Sequence, residues 1–398
     1  MYIYIIRNTR TLLVLPVIAT LALMLCGCSD DSSDYTRETK DITIHLRTSS
    51  QDYGYRPLLR SVTAGYSQYS GEDTKSDIIM YMTRGTEVYQ AARFSWSTVN
   101  NWTSRIALEP NTTSNPDPYY VYGYMPADAA TVSISSTDYA VGSTMMLTNL
   151  TTVNTKDVCV ITGAKEENDP THFDIINSPT LVSPGSFGIQ VKDGDNYIYV
   201  LMNHIYAKLG LKFNVKGPSA SELLSDAWKS NPDYYYYSLR GIRLKKVQMV
   251  THVGEVEVKV QTGSTEPTLT YNESTSTEQT ITIFDVSSDD DDTNDAGIEI
   301  TPAGIEVPAF FTPMAAGSTK EIKFISTYDV YYRDTDGNIT TTLVRGDCTA
   351  TNDWNLKAPT GQAFGAGKAI SVSATVIPTY LYQLADPDLV DPTIKIGN

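Results

Sequence analysis

The feature that most constrains this chain is an alternation of apolar and polar residues with a period of two. In Asp41-Ile42-Thr43-Ile44-His45-Leu46 the apolar residues Ile42, Ile44 and Leu46 share one face of an extended segment. The same pattern returns at Leu209, Leu211, Phe213 and Val215, at Val256, Val258 and Val260, and at Ile370, Val372, Ala374 and Val376. A strand gathers such residues on one side, whereas a helix scatters them around its circumference. Turn signals separate the runs. Lys192-Asp-Gly-Asp-Asn196 precedes the run Tyr197 to Met202. Asp334-Thr-Asp-Gly-Asn338 leads from Ile322–Tyr332 into Ile339–Leu343 as a hairpin. Many short strands between turns predict an all-β chain of two tandem β-sandwiches. At 398 residues and 41% hydrophobic content, the chain can fill two cores.

The boundary is expected near residue 196, after Ser183-Pro-Gly-Ser186 and the Asp-Gly turn. This gives an N-terminal sandwich over 61–195 and a C-terminal one over 196–398, the latter ending in a tail, 379–398. One short helix is expected in the second sandwich. Ser219-Ala-Ser-Glu222 has capping-box spacing, and Leu223, Leu224, Ala227 and Trp228 follow at helical spacing, a stripe suited to packing on a sheet. Tyr234-Tyr-Tyr-Tyr237 reads as strand residues alternating between core and surface, with a sugar-stacking platform as the other reading.

The first residues carry Arg7 and Arg10 and no acid, and an apolar run follows from Leu12 to Leu25. That run is too short to cross a bilayer core of ~30 Å as a helix, and it fits the apolar region of a secretory signal. It ends in Leu25-Cys26-Gly27-Cys28, which resembles a bacterial lipobox. The resemblance implies a signal peptide over 1–27 and lipidation at Cys28, with Cys26 as the alternative. The acidic Ser29–Asp34 run resembles the signal that sends lipoproteins of one Gram-negative phylum to the outer face of the outer membrane. The net charge of −16 argues against nucleic-acid binding, which needs a basic surface. Beyond Cys28 only Cys159 and Cys348 remain, consistent with one disulfide or with two separate buried thiols.

No catalytic signature stands out. His45, His172, His204 and His252 have no partner at metal-binding spacing, and a structural role is the reading for His204. Phe364–Ala369 holds a Gly-Lys pair without the spacing of a phosphate loop. The run Asp289–Asp292 with Asp295 fails the calcium-loop register, because Asp295 stands where a glycine is required, and it reads as a solvated acidic loop. No enzyme, cofactor or metal is expected.

The lipobox and acidic run, together with Tyr119–Pro126, Val158–Lys165 and above all Leu201-Met-Asn-His-Ile-Tyr-Ala-Lys-Leu-Gly-Leu-Lys-Phe-Asn-Val215, resemble the fimbrillin family. Its members are subunits of the protease-matured pili of Gram-negative gut and oral bacteria. The resemblance implies sandwiches of transthyretin-like topology and delivery to the cell surface as an outer-membrane lipoprotein. It also implies removal of the first strand by a trypsin-like protease, and polymerisation when a neighbour's strand fills the opened groove. The partners so implied are other pilus subunits, the outer membrane through the precursor's lipid, and a host or bacterial surface receptor.

On this pattern 28–60 is the candidate propeptide, and Ile42, Ile44 and Leu46 form the displaced strand. Arg60, followed by Ser61, is the favoured processing site. Arg47 and Arg56 are alternatives, the latter disfavoured by Pro57. An ordinary first strand that is never cut is the competing reading. The candidate donor is the tail, with Leu381, Leu384, Leu389, Ile394 and Ile396, although Pro387 and Pro392 interrupt it. A surface glycan-binding lipoprotein is the alternative function.

Overall fold

The computed structural model describes residues 39–51, 66–68, 76–85, 87–96, 102–135, 144–173, 182, 185–259, 268–286, 297–376 and 389–396. Residues 1–38 lie outside the described residues, with Cys26, Cys28 and the acidic run.

Among the described residues the chain is nearly all-β. In order, β1 is Lys40–Gln51, β2 Tyr66–Gln68, β3 Ile78–Arg84, β4 Glu87–Trp96, β5 Trp102–Leu108, β6 Tyr119–Met125, β7 Thr131–Ser135, β8 Thr144–Thr151, β9 Val153–Asn154, β10 Cys159–Glu167 and β11 Gly188–Ile189. Then follow β12 Asp195–His204, β13 Ala207–Val215, β14 Arg240–Lys259, β15 Thr268–Asp285, β16 Ile298–Glu299, β17 Ile305–Phe311, β18 Thr319–Arg333, β19 Ile339–Lys357, β20 Ala369–Val376 and β21 Leu389–Ile396.

The first sheet runs β10-β12-β1-β5-β4-β3-β6-β11, and a further pairing of β6 with β10 closes it into a barrel-like ring. Two seams of the ring are short. Ser95↔Thr103 and Trp96↔Trp102 join β4 to β5, while Cys159↔Met125 and Val160↔Tyr124 join β10 to β6. An open pair of sheets was expected here; these seams close it. The close approach at β6 explains a glycine. A Cβ on Gly123 would lie 2.5 Å from the Ile79 carbonyl oxygen and 2.7 Å from Ile161 Cδ1, so only glycine lets the β3 backbone and the opposite wall meet.

In the second half, a five-stranded sheet, β21-β20-β13-β17-β9, and a seven-stranded sheet, β19-β18-β14-β8-β7 with β15 and β16 on β14, contribute to one core. Leu209, Leu211, Phe213, Val307, Ile370 and Val372 come from the former, and Ile242, Leu244, Phe324 and Val330 from the latter.

The cores divide a few residues beyond the boundary expected near residue 196. β12 pairs with β1 and β10, its Ile198, Val200 and Met202 belong to the first core, and the division of cores falls between Tyr206 and Ala207. The division is not a single cut. β7 and β8 join the sheet of β14, and β9 pairs with β17.

The helix is also not continuous. Short 3₁₀ turns span Glu222–Leu224, Asp226–Ser230 and Pro232–Tyr234, and an α-turn spans Tyr235–Leu239. The capping box forms: the Ser219 amide donates to the Glu222 carboxylate at 2.7 Å. Ser225, however, is extended (φ −130°, ψ 148°) and breaks the helix one turn later. Leu224 is 88% exposed and Leu223 is also exposed, so of the expected stripe Trp228 supplies the large buried side chain. A second short helix, Pro170–Phe173, was not foreseen and buries Phe173.

The halves interlock through the long β14–β15 hairpin. Tyr271 of β15 packs on the first core, and its hydroxyl donates to the Ile205 carbonyl at 2.7 Å. Burial pushes the Tyr271 phenol well above its ordinary 10.0. Its folded value therefore lies above the unfolded one, so its contribution is complete below pH ~10 and is lost as pH rises through the folded value. Tyr271→Phe leaves a carbonyl without this donor and should cost about 1–3 kcal/mol in denaturant unfolding at neutral pH. The gap between wild type and variant should narrow in strongly alkaline buffer.

Candidate functional site

The site is built around β1. This strand lies inside the sheet, parallel to β12 (Thr43↔Asp195 through Ser50↔Met202) and antiparallel to β5 (Lys40↔Leu108 through Leu46↔Trp102). The sequence alternation carries directly into burial. Ile42, Ile44 and Leu46 are each 0% exposed and pack in the first core among residues such as Trp102, Ile106, Ile198 and Val200.

The opposite face is covered toward the strand's end. His45 stacks on Tyr197 with ring centres 5.0 Å apart, and the Arg47 guanidinium lies 4.9 Å from the centre of the Phe173 ring. Each fully buried aliphatic side chain contributes about 1.5–3 kcal/mol. If β1 were withdrawn, β12 and β5 would face each other across a lane two strand spacings wide, about 9–10 Å, which accepts one extended segment.

The candidate processing residues divide clearly. Arg47 is 4% exposed and opposite Tyr199 in the β1–β12 ladder, so a protease cannot reach it while β1 is seated. Arg56 and Arg60 lie outside the described residues. So do Leu381 and Leu384 of the tail. Leu389, Ile394 and Ile396 belong to β21, which runs antiparallel to β20 at the margin of the five-stranded sheet. The register shifts between Ser373 and Thr375, opposite Asp391-Pro392. A bulge thus absorbs Pro392, which can donate no ladder hydrogen bond, and β21 continues through it to Ile396.

A polar cluster that sequence reading did not assemble sits at the far end of β10 and β12. Cys159 and His204 are direct cross-strand partners, and Asp157 precedes Cys159 by two residues. His204 Nδ1 lies 2.8 Å from Asp157 Oδ1 and 3.2 Å from Cys159 Sγ, and Sγ lies 4.0 Å from the same carboxylate oxygen. Burial, and then the charge of Asp157, push the Cys159 thiol well above its ordinary value. A nucleophilic triad needs one imidazole nitrogen on the thiol and the other on the acid. Here the same nitrogen faces both, and the thiol is held neutral, so nucleophilic catalysis does not follow. Nothing in the spacing of Asp157, Cys159 and His204 revealed the cluster; only the β10–β12 register brings them together.

Cys348 is buried in the second core and Cys159 in the first, and both are free thiols. Of the tyrosine run, Tyr237 is in the core, with the Arg333 guanidinium 4.3 Å from its ring centre and Trp228 edge-on at 5.9 Å. The Tyr234 hydroxyl donates to the Glu222 carboxylate at 3.3 Å. Both belong to helical turns, so the strand expected over Tyr234–Tyr237 does not form. Phe364 is buried and bridges to Met314, as part of a loop. The acidic run 289–295 lies outside the described residues. A cleft of about 170 Å³ is lined by residues including Glu166, Gln190, Lys192, Asp195 and Tyr197. It is smaller than the ~300–1,000 Å³ of most ligand sites.

No protein-family model matches the chain, and no curated protein matches it. Among solved structures, it is similar to a candidate cell adhesion protein from Bacteroides fragilis, with TM-score 0.39, 9% identity, and coverage of 90% of this chain and 98% of that one. It is also similar to a candidate cell adhesion protein from Bacteroides uniformis, with TM-score 0.34, 12% identity, and coverage of 89% and 99%. A third similar structure is the fimbrial anchor protein Mfa2 from Porphyromonas gingivalis, with TM-score 0.32, 9% identity, and coverage of 90% and 99%.

The burial of both thiols predicts their chemistry. In native protein, Cys159 and Cys348 should resist alkylation, and both should react once guanidinium unfolds the chain; peptide mapping by mass spectrometry reads each cysteine separately.

Proposed function

We propose that this chain is a structural, adhesive subunit of a cell-surface pilus, delivered as a lipoprotein through Cys28 and polymerised by strand replacement. In this reading its two β regions are sandwiches of transthyretin-like descent, the first closed at its seams by short pairings. The observation that carries the proposal is the seat of β1. An apolar strand fills an interior lane of the first sheet and has three wholly buried side chains on one face. It is joined to β2 and β3 through the segment that holds Arg56 and Arg60. Cutting after Arg60 severs β1 covalently while its hydrogen bonds still hold it, so release depends on a competing strand.

The tail is suited to compete. Thr393-Ile394-Lys395-Ile396 repeats the alternation of Thr43-Ile44-His45-Leu46, and β21 occupies a sheet margin, where exchange disrupts no interior pairing. A tail on one copy and a lane on the next form a head-to-tail contact that does not close, which produces a filament. The anchor at Cys28 leaves with β1, so a mature subunit is held by its neighbours. The acidic balance keeps unassembled subunits soluble and apart.

Limited trypsin tests this directly. Cleavage should fall after Arg60 and spare Arg47, and the cut protein should form a ladder of oligomers that survive unboiled gel electrophoresis. Arg60→Gln should abolish the ladder and leave the fold unchanged by circular dichroism. Monomers alone after complete cleavage at Arg60 would contradict the reading.

A further inference from the structure

We infer that Asp157, Cys159 and His204 form a binding site for a divalent transition-metal ion of the zinc type. Sulfur, nitrogen and oxygen donors converge here, with separations of 2.8, 3.2 and 4.0 Å between Nδ1, Sγ and Oδ1. A tetrahedral ion bound at ~2.0–2.3 Å places its ligand atoms roughly 3.3–3.6 Å apart. Side-chain adjustments on the order of half an ångström therefore convert the cluster into three corners of a tetrahedron.

His204 Nδ1 faces both Asp157 Oδ1 and Cys159 Sγ, and the thiol donates toward the same carboxylate oxygen, so a cation among the three atoms would take the place of the protons they now share. Loading breaks the Cys159 S–H bond, the proton leaves to solvent, and a sulfur–metal bond forms. Thiolate with imidazole selects zinc-like ions over calcium and magnesium, which prefer oxygen.

The position gives the ion a structural task. Cys159 and His204 are fixed opposite each other on β10 and β12. The side chains of His204 and Asp157 are 4% and 14% exposed, so the acid marks the more open side, where a water or an added ligand can complete the coordination. One residue beyond His204, the Ile205 amide donates to the Val158 carbonyl at 2.9 Å, just before the chain enters the second core. A bound ion would staple the first sheet where the two cores meet.

Titration of the full chain with cobalt(II) alone provides the test. Wild type and Cys348→Ser should develop a thiolate-to-cobalt charge-transfer band and tetrahedral visible bands. Cys159→Ser and His204→Gln should lose the charge-transfer band or the binding, respectively, and Asp157→Asn, on the more open side, should weaken binding without unfolding. Cys159→Ser separates this site from the thiols of Cys26 and Cys28. Zinc should raise the thermal midpoint of wild type and leave that of Cys159→Ser unmoved. Absence of the band in folded wild type, or its persistence in Cys159→Ser, overturns the inference.

Discussion

The structure depends on one strand held from both sides. β1 pairs with β12 and β5 at once, so its backbone satisfies two ladders and Ile42, Ile44 and Leu46 fill the core beneath. Without it, two interior strands become edges, and the first core loses its cover over Ile198, Val200 and Trp102. An interior strand is normally the least dispensable part of a sheet. Here that strand is joined to the rest of the domain through a stretch that holds Arg56 and Arg60.

The remainder of the molecule resists such a change because the two cores are stitched together. Thr152 and Thr251 form a buried clasp: the Thr251 hydroxyl accepts from the Val153 amide at 2.7 Å, and the His252 amide donates to the Thr152 hydroxyl at 3.0 Å. The Thr312 amide donates to the Thr152 carbonyl at 2.9 Å and adds the second half's β17 end to the same point. Tyr271 reaches across from the β14–β15 hairpin. The Thr152–Thr251 clasp lies at the ends of β8 and β9 and on β14, outside the pairings of β1, whereas Tyr271 reaches Ile205 just past β12, the strand that pairs with β1. Fully satisfied buried polar groups of this kind favour one arrangement over its neighbours, because any slip leaves several of them unpaired at once.

Much of the strand content was legible because strands such as β1 and β18 present one buried face, and a period of two then has a single explanation. Ile42, Ile44 and Leu46 illustrate this, as do Leu209, Leu211 and Phe213. By contrast, β6, β10 and β12 are buried on both faces over most of their length. What remained hidden depends on contacts between distant segments. The passage from β12 to β13 takes only Ile205 and Tyr206, both apolar and buried, so no composition change marks the division of the cores. Closure of the first sheet rests on two short seams, which leave no periodic trace. The helix failed for a local reason: one extended residue, Ser225, interrupted a pattern that capping and spacing supported. The Asp157–Cys159–His204 cluster joins residues far apart in sequence, and it became visible only once the register of β10 against β12 was known.

The central claim is that the lane of β1 accepts another strand. Its most direct measurement uses chain cut after Arg60 and a labelled synthetic peptide of residues 389–398, followed by native mass spectrometry. The account predicts that the fragment ending at Arg60 stays bound after cutting, and that excess peptide replaces it in a one-to-one complex that keeps the folded charge-state distribution. A fragment that cannot be displaced, or a body that unfolds when the fragment leaves even with peptide present, would contradict it.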